Sequence, residues 1–366
     1  MCLQQMQILF NVGKLFALSP STVDVKSITH LQKIWAMLML STLTIWMFNC
    51  ISYKNFYTPY IHIKMIICLL TDIALLSIYV TAVTDVTFRK RDHWFKLMKN
   101  LKLIHLCDNS VRSMKNYTTF LVGNGIYIVV MGFTTFSWYE LQGVRYFREF
   151  SCTMILMYAK YLQKLILYVI LKMIAGKYHS LSQQMRSLTA KSKTQRIVVV
   201  LRRIKYFIEV LKDTVNIFNG MFGWLITLIL TFTFLHLLNY LDYLFITISN
   251  LDEMFIVKCI IADIMNLVFD FVSTVYLIFL CDDVVKEAED LLEISCRLRW
   301  NLGNLTSEEK RDLYWFTDFL RDNFPKFSAA RFFHIDRSTV LGILATTTTF
   351  FIIMIQFNSS ASSYYY

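Results

Sequence analysis

Apolar residues gather along the chain in seven long, charge-poor runs, roughly 32-53, 61-83, 117-140, 152-175, 217-248, 254-281 and 338-357. Each is near or above the ~20 residues that an α-helix needs to cross a hydrocarbon core. None alternates with period two, so the pattern predicts seven spanning helices and no sheet. The fifth run is too long for a perpendicular crossing and is expected to tilt or to project beyond the bilayer. Helical periodicity continues between the runs. Ile197, Leu201, Ile204, Phe207, Ile208 and Leu211 form a stripe amid Arg202, Arg203 and Lys205, leading into the fifth run. Val284, Val285, Ala288, Leu291 and Leu292 do the same after the sixth, and Thr306 with Glu309 reads as a capping box opening one more helix before Pro325.

Composition agrees with a bilayer environment. Residues 56% apolar and only 17% charged, with a positive mean hydropathy, describe a membrane protein rather than a soluble domain, which runs nearer a quarter charged. Gly and Pro are few, and Pro20, Pro59 and Pro325 all lie outside the runs, so the spans are expected to be unbroken. The first twenty residues show neither a basic start nor a small-residue cleavage site, and no cleavable signal peptide is expected. The fold expected is therefore an all-α membrane protein, one seven-helix domain over 1-366, with helical extensions at about 176-216 and 282-337.

Charge then sets the orientation. Thirty of the Lys and Arg residues fall before the first run or between runs two and three, four and five, and six and seven; five fall on the opposite side. Basic loops are retained in the cytoplasm. The N-terminus is expected inside, the C-terminus outside, and the extensions form a cytosolic anchor region. The net charge of +11 is mostly this bias, so no nucleic-acid surface is implied.

This orientation is the reverse of receptors coupled to G proteins, and no acidic-Arg-aromatic triplet closes the third span. Inverted seven-helix hydrolases need an intramembrane zinc, but only His62 and His236 lie within spans, no His-x-x-x-His pair exists and the eight cysteines are scattered. No metal or cofactor is expected, and no catalytic constellation. A transporter would show Gly- and Pro-broken helices in matched repeats, which are absent.

Ionisable residues inside spans cost about 2.5 to 3.5 kcal/mol each and avoid lipid. Lys160, Gln163 and Lys164 share one face of the fourth span; Asp263, Asn266 and Asp270 share one face of the sixth, at similar depth. Opposite charges at one depth imply pairing, either as a packing network or around a water-filled pocket. Asp72 in the second span reads the same two ways.

The last run carries a resemblance. "FSAARFFHIDRSTVLGILATTTTFFIIMIQF", Phe327 to Phe357, resembles the signature of insect gustatory receptors, in which Phe-Phe-x-hydrophobic-Asp leads into Thr-Tyr, five apolar residues and Gln-Phe. Phe332, Phe333, Ile335 and Asp336 fit the first half; Thr349, Gln356 and Phe357 fit the second, with Phe350 in place of the tyrosine. The resemblance implies a tastant-gated, non-selective cation channel in the plasma membrane of sensory neurons. It would be a homo- or heterotetramer with other gustatory receptor subunits, contacting a small-molecule tastant and membrane lipid, with the last helix lining the pore. Alternatives are an odorant-receptor-like channel and a seven-helix receptor signalling without its own pore.

Under that resemblance Gln356, Ile353, Ile352 and Thr349 share a helical face that would line the pore, with Phe357 as the gate. Otherwise Gln356 and Phe357 are interfacial anchors. A ligand pocket would open outward among spans two to six, with Trp138, Tyr158, Tyr161, His236, Tyr240 and Asp263 as candidates. The short N-terminal segment and sparse outer loops set the chain apart from the sugar- and carbon-dioxide-sensing branches and point to a bitter-type or orphan ligand.

The charge bias makes a direct prediction. A tag appended after Tyr366 should be labelled on intact cells and one before Met1 only after permeabilisation; the reverse pattern refutes the inverted orientation.

Overall fold

A computed structural model describes residues 2-19, 29-54, 62-106, 114-190, 195-248, 254-301 and 307-362. Its elements are helices α1 (Cys2–Leu15), α2 (His30–Tyr53), α3 (His62–Thr84), α4 (Arg91–Leu106), α5 (Met114–Gln142), α6 (Val144–Ala190), α7 (Gln195–Ile248), α8 (Met254–Asn301), α9 (Ser307–Asp322) and α10 (Arg337–Ser362). A two-residue-per-strand hairpin, β1 (Ser328–Ala329) and β2 (Phe333–His334), precedes α10. Among the described residues seven helices are long and apolar enough to cross a membrane: α2, α3, α5, α6, α7, α8 and α10. The fold is the all-α seven-helix bundle expected.

Three of these helices far outrun a bilayer. α7 has 54 residues and so extends about 80 Å at 1.5 Å per residue, against a hydrocarbon core of about 30 Å. The amphipathic stripe before the fifth span is simply the first half of this helix, and Ile204, Phe207, Ile208 and Leu211 are buried along it. Helix α8 likewise runs on past its apolar half, burying Val284, Ala288 and Leu291. α9 begins at Ser307, so the capping residue Thr306 lies outside the described residues; its apolar face, Leu313, Phe316 and Leu320, is buried. α1 was not evident as an element from periodicity. It is held because Phe10 inserts edge-on against Trp94 of α4, which in turn meets Phe222 of α7.

α6 is the centre of the bundle. Buried residues make up 72% of its apolar window but only 11% of that of α10, which lies at the periphery against α7 and α8. Where α3 meets α4 the chain makes a π-helical turn, Asp85–Arg89, and buried Asp85 receives Lys90 at 2.5 Å across it.

The entry to α10 is gripped by α7. Asn219 donates to Lys326 O at 2.6 Å and accepts from Ser328 N at 3.3 Å. One turn on, Gly223 lies under the hairpin so closely that a Cβ there would sit 2.9 Å from Ala330 N. Ala330 and Arg331 both take left-handed backbone, at φ 50° and 67°, to close the turn. Such non-glycine residues carry strain of order 1–3 kcal/mol each, held here by the surrounding contacts. Asp336 then caps α10: its carboxylate accepts from the Ser338 hydroxyl at 2.5 Å and backbone N–H at 2.9 Å, while the Thr339 hydroxyl accepts from the Asp336 N–H at 3.3 Å. The Ser338 hydroxyl and backbone N–H hold that carboxyl below the usual range. The Asp of the signature thus has a structural reason: it starts the last helix.

Gly223→Ala should lower the thermal midpoint and yield of detergent-solubilised protein by the equivalent of about 1–3 kcal/mol, because the obstructing atoms are backbone. Gly220→Ala, with open space around it, should be neutral. Equal behaviour of the two variants would contradict the close hairpin contact.

Candidate functional site

At the end of the bundle where α2, α5 and α7 finish and α3, α6 and α8 begin, the helices splay around a cavity of about 490 Å³. Its place follows from the residues that line it. Small and flexible side chains (Thr71, Thr134, Met131, Met154, Met157) leave room between helices, and large aromatics (Trp138, Tyr146, Tyr240) form the walls. Trp138 and Tyr146 stack with ring centroids 6.2 Å apart and planes 6° from parallel. Tyr240, a lining residue, donates its hydroxyl to Ile260 O at 3.0 Å, which ties α7 to α8.

Of the residues expected to contact a ligand, Trp138, His236, Tyr240 and Asp263 line this cavity together. Trp138 Nε1 donates to Asp263 Oδ1 at 2.9 Å. Tyr158 and Tyr161 lie elsewhere: on the face of α6 turned toward α5, Tyr161 stacks on Tyr127 at 4.4 Å and Tyr158 leans against Tyr127 and Phe16. Their spacing of three places both on one helical face, and that face packs in an aromatic cluster.

The polar residues of the fourth and sixth spans meet beneath the cavity. Lys160 and Lys164 both donate to Asp270 Oδ1 at 2.7 Å, and all three are buried. Lys164 is further surrounded by Asp270 O, Ser273 Oγ and Thr274 Oγ1 within 3.1 Å. Lys160 lies 3.7 Å over the ring of Phe232. His236 joins from α7, its Nδ1 3.8 Å from Asp270 Oδ2. Of the two acids that could pair with these lysines, Asp270 does so, while Asp263 sits higher and bonds to Trp138.

Of the further lining residues, Asp72 was expected either to pair or to face a pocket, whereas Lys54, Cys68, Arg145, Glu149 and Asn239 were not anticipated. Lys54 and Asp72 form a buried ion pair at 2.7 Å, with Lys54 also 4.9 Å from the ring of Phe150. Arg145 holds Glu149 at 2.5 Å, and Cys68 donates to Asn239 at 3.1 Å. Among the described residues no group of three or more His, Cys, Asp or Glu side chains is placed to hold a metal ion.

The residues of the last helix divide by face. Thr347 and Met354 are buried against α7 and α8, whereas Thr349, Ile352, Ile353 and Gln356 are exposed on the other side. The four hydroxyls from Thr346 to Thr349 donate to carbonyls four residues back at 2.7–3.0 Å, so each is satisfied within the helix. Phe357 continues the helix, and its side chain lies outside the described residues.

A seven-helix bundle enclosing an aromatic cavity above a buried ionic floor defines a multi-pass membrane protein with an internal pocket. The family model described as 7tm Chemosensory receptor matches residues 6–360, and the chain belongs to that family. No curated protein matches it by sequence. Its fold is similar to that of the insect olfactory receptor OR5 from Machilis hrabei, at TM-score 0.68 and 12% identity over 96% of this chain and 98% of that one. The same receptor in complex with eugenol aligns at TM-score 0.66, 12% identity and 97% of each chain. The likeness to these receptors is one of fold.

Breaking the ionic floor from one side should be severe. Asp270→Asn leaves two buried ammonium groups without a counter-charge and should cost about 3–5 kcal/mol, read as loss of monodisperse protein after detergent extraction. Combining it with Lys160→Met and Lys164→Met should recover most of that yield. Wild-type stability in Asp270→Asn alone would show that the lysines do not depend on it.

Proposed function

We propose that the chain is a gustatory receptor subunit, a tastant-gated, non-selective cation channel of four copies or of mixed gustatory subunits, with α10 of each lining a central pore. The observation that carries this reading is how little of α10 is covered within its own chain: only Thr347 and Met354 are buried against α7 and α8, and the side opposite them, with Thr349, Ile352, Ile353 and Gln356, is exposed. A spanning helix this little covered within its own chain needs other surroundings, and a face mixing hydroxyl, aliphatic and amide groups suits a water-filled, hydrophobically gated path better than lipid. Gln356, preceding Phe357, would stand near the outer mouth.

The basic bias orients the bundle with the cavity end outward, in the plasma membrane of a sensory cell, and the long ends of α6, α7 and α8 with α9 inward as an anchor region shared between subunits. On this reading the cavity receives a small organic tastant, of bitter type or as yet unassigned class; eugenol seated in the OR5 receptor supports a small-molecule ligand for this architecture. The fold likeness to an olfactory receptor favours an odorant-type channel as the second reading. The Phe332-to-Phe357 signature favours taste. Neither reading involves catalysis or a cofactor.

Gln356→Glu should raise cation over anion permeability, seen as a shifted reversal potential in expressing cells, because four added charges would ring one point of the path. Ile353→Ala should raise ligand-independent current by widening the apolar stretch. Unchanged reversal potential and leak in both variants, at equal surface protein, would make α10 a lipid-facing anchor.

A further inference from the structure

We propose that the cavity takes an organic cation: a protonated or quaternary amine carried on an apolar or aromatic body. The inference deepens, and rests on, the reading of this chain as a receptor whose cavity binds a small molecule.

Charge accounting around the cavity singles out Asp263. Lys54 is matched by Asp72 and Arg145 by Glu149, each pair in direct contact. Below, Lys160 and Lys164 are drawn to Asp270, and neither lines the cavity. Among the described residues Asp263 has only the neutral Trp138 N–H as partner. Among the described residues no Lys, Arg or His makes an ion pair with it. A carboxylate accepts only, and one N–H leaves most of its acceptor capacity open to the cavity. An uncompensated carboxylate between membrane helices is unfavourable, and a bound cation removes that penalty.

The walls beside it fit the same ligand. Trp138, Tyr146, Tyr240 and Tyr243 all line the cavity; Tyr243 lies 6.4 Å from Trp138 and 6.2 Å from Tyr240, centroid to centroid. Because the Tyr240 hydroxyl is engaged by Ile260 O, that residue offers chiefly its ring. Electron-rich ring faces gathered around a carboxylate attract ammonium groups through both the quadrupole and the charge. Met131, Met154 and Met157 line the neighbouring wall and suit an apolar body that varies in shape. An anion would meet Asp263 and find the cavity's own cations already engaged. A neutral ligand would leave the carboxylate as it is.

The test uses full-length protein in nanodiscs of zwitterionic lipid and radiolabelled benzyltrimethylammonium, with neopentylbenzene as a neutral competitor of the same shape. The proposal expects saturable binding, competed by unlabelled benzyltrimethylammonium and little by neopentylbenzene. Asp263→Asn should weaken it at least about tenfold, and Tyr243→Leu by a few-fold. Should Asp263→Asn fail to fold, the wild-type competition and Tyr243→Leu still decide. Equal competition by neopentylbenzene, unchanged affinity in Asp263→Asn, or no saturable binding overturns the proposal. Binding as expected, with no current in expressing cells, sustains the cation site and counts against the channel. Current evoked equally by both probes overturns the cation site and leaves the channel standing.

Discussion

One carboxylate shared by two lysines organises this bundle. Asp270 of α8 receives Lys160 and Lys164 from successive turns of α6, deep between the two most closely associated helices. Charges at such depth are tolerated only in company, so the triad sets the register of α6 against α8. A slip of one helical turn, about 5.4 Å, would part the charges and leave them against hydrocarbon side chains. Thr274, bonded to both Lys164 and Thr233, brings α7 into the same arrangement. The cavity above has its shape because its floor is fixed in this way.

α7 joins that cavity to the last helix. At one end it contributes His236 and Tyr240 to the cavity; near its middle Asn219 and Gly223 hold the hairpin that feeds α10. Gly223 and Tyr240 are about 25 Å apart along a single unbroken helix. Further contacts fasten the base of α10: Phe332 meets Trp224 edge-on at 5.4 Å, and Arg337 reaches Asp282 of α8 at 2.6 Å. Past that base α10 is bound along one face only, and the opposite face remains exposed.

Much of this was legible in the chain because the bilayer imposes simple demands. Lipid-facing helices must be apolar for about twenty residues, and so α2, α3, α5 and α10 announce themselves by composition. The lengths of α7 and α8 beyond their spans were visible as apolar stripes at helical spacing that no Pro interrupts, whereas that of α6 had no such stripe to announce it. Which residues meet was less visible. Lys160 and Lys164 could have paired with either Asp263 or Asp270, since both acids lie on one face of α8 two turns apart; only the depth of α6 against α8 chooses. Tyr158 and Tyr161 have the chemistry of cavity residues but the rotational position of packing residues. Lys54 looked like a loop cation because its partner Asp72 comes from another helix, across a connection that carries no pattern of its own. The hairpin escaped notice because two-residue strands held by a neighbour's Asn219 and Gly223 leave no periodicity to read.

The central claim is that the exposed face of α10 borders a path for ions. Cysteine accessibility tests it most directly: Thr349→Cys, Ile352→Cys, Ile353→Cys and Gln356→Cys against Thr347→Cys and Met354→Cys, with a charged, membrane-impermeant thiol reagent applied during ligand-evoked current. Among the described residues most cysteines are buried, so the unsubstituted protein should respond little. The account predicts that current changes irreversibly at positions of the first set and not at the two buried against α7 and α8. Modification confined to Thr347→Cys and Met354→Cys, or absent from all six, would contradict it.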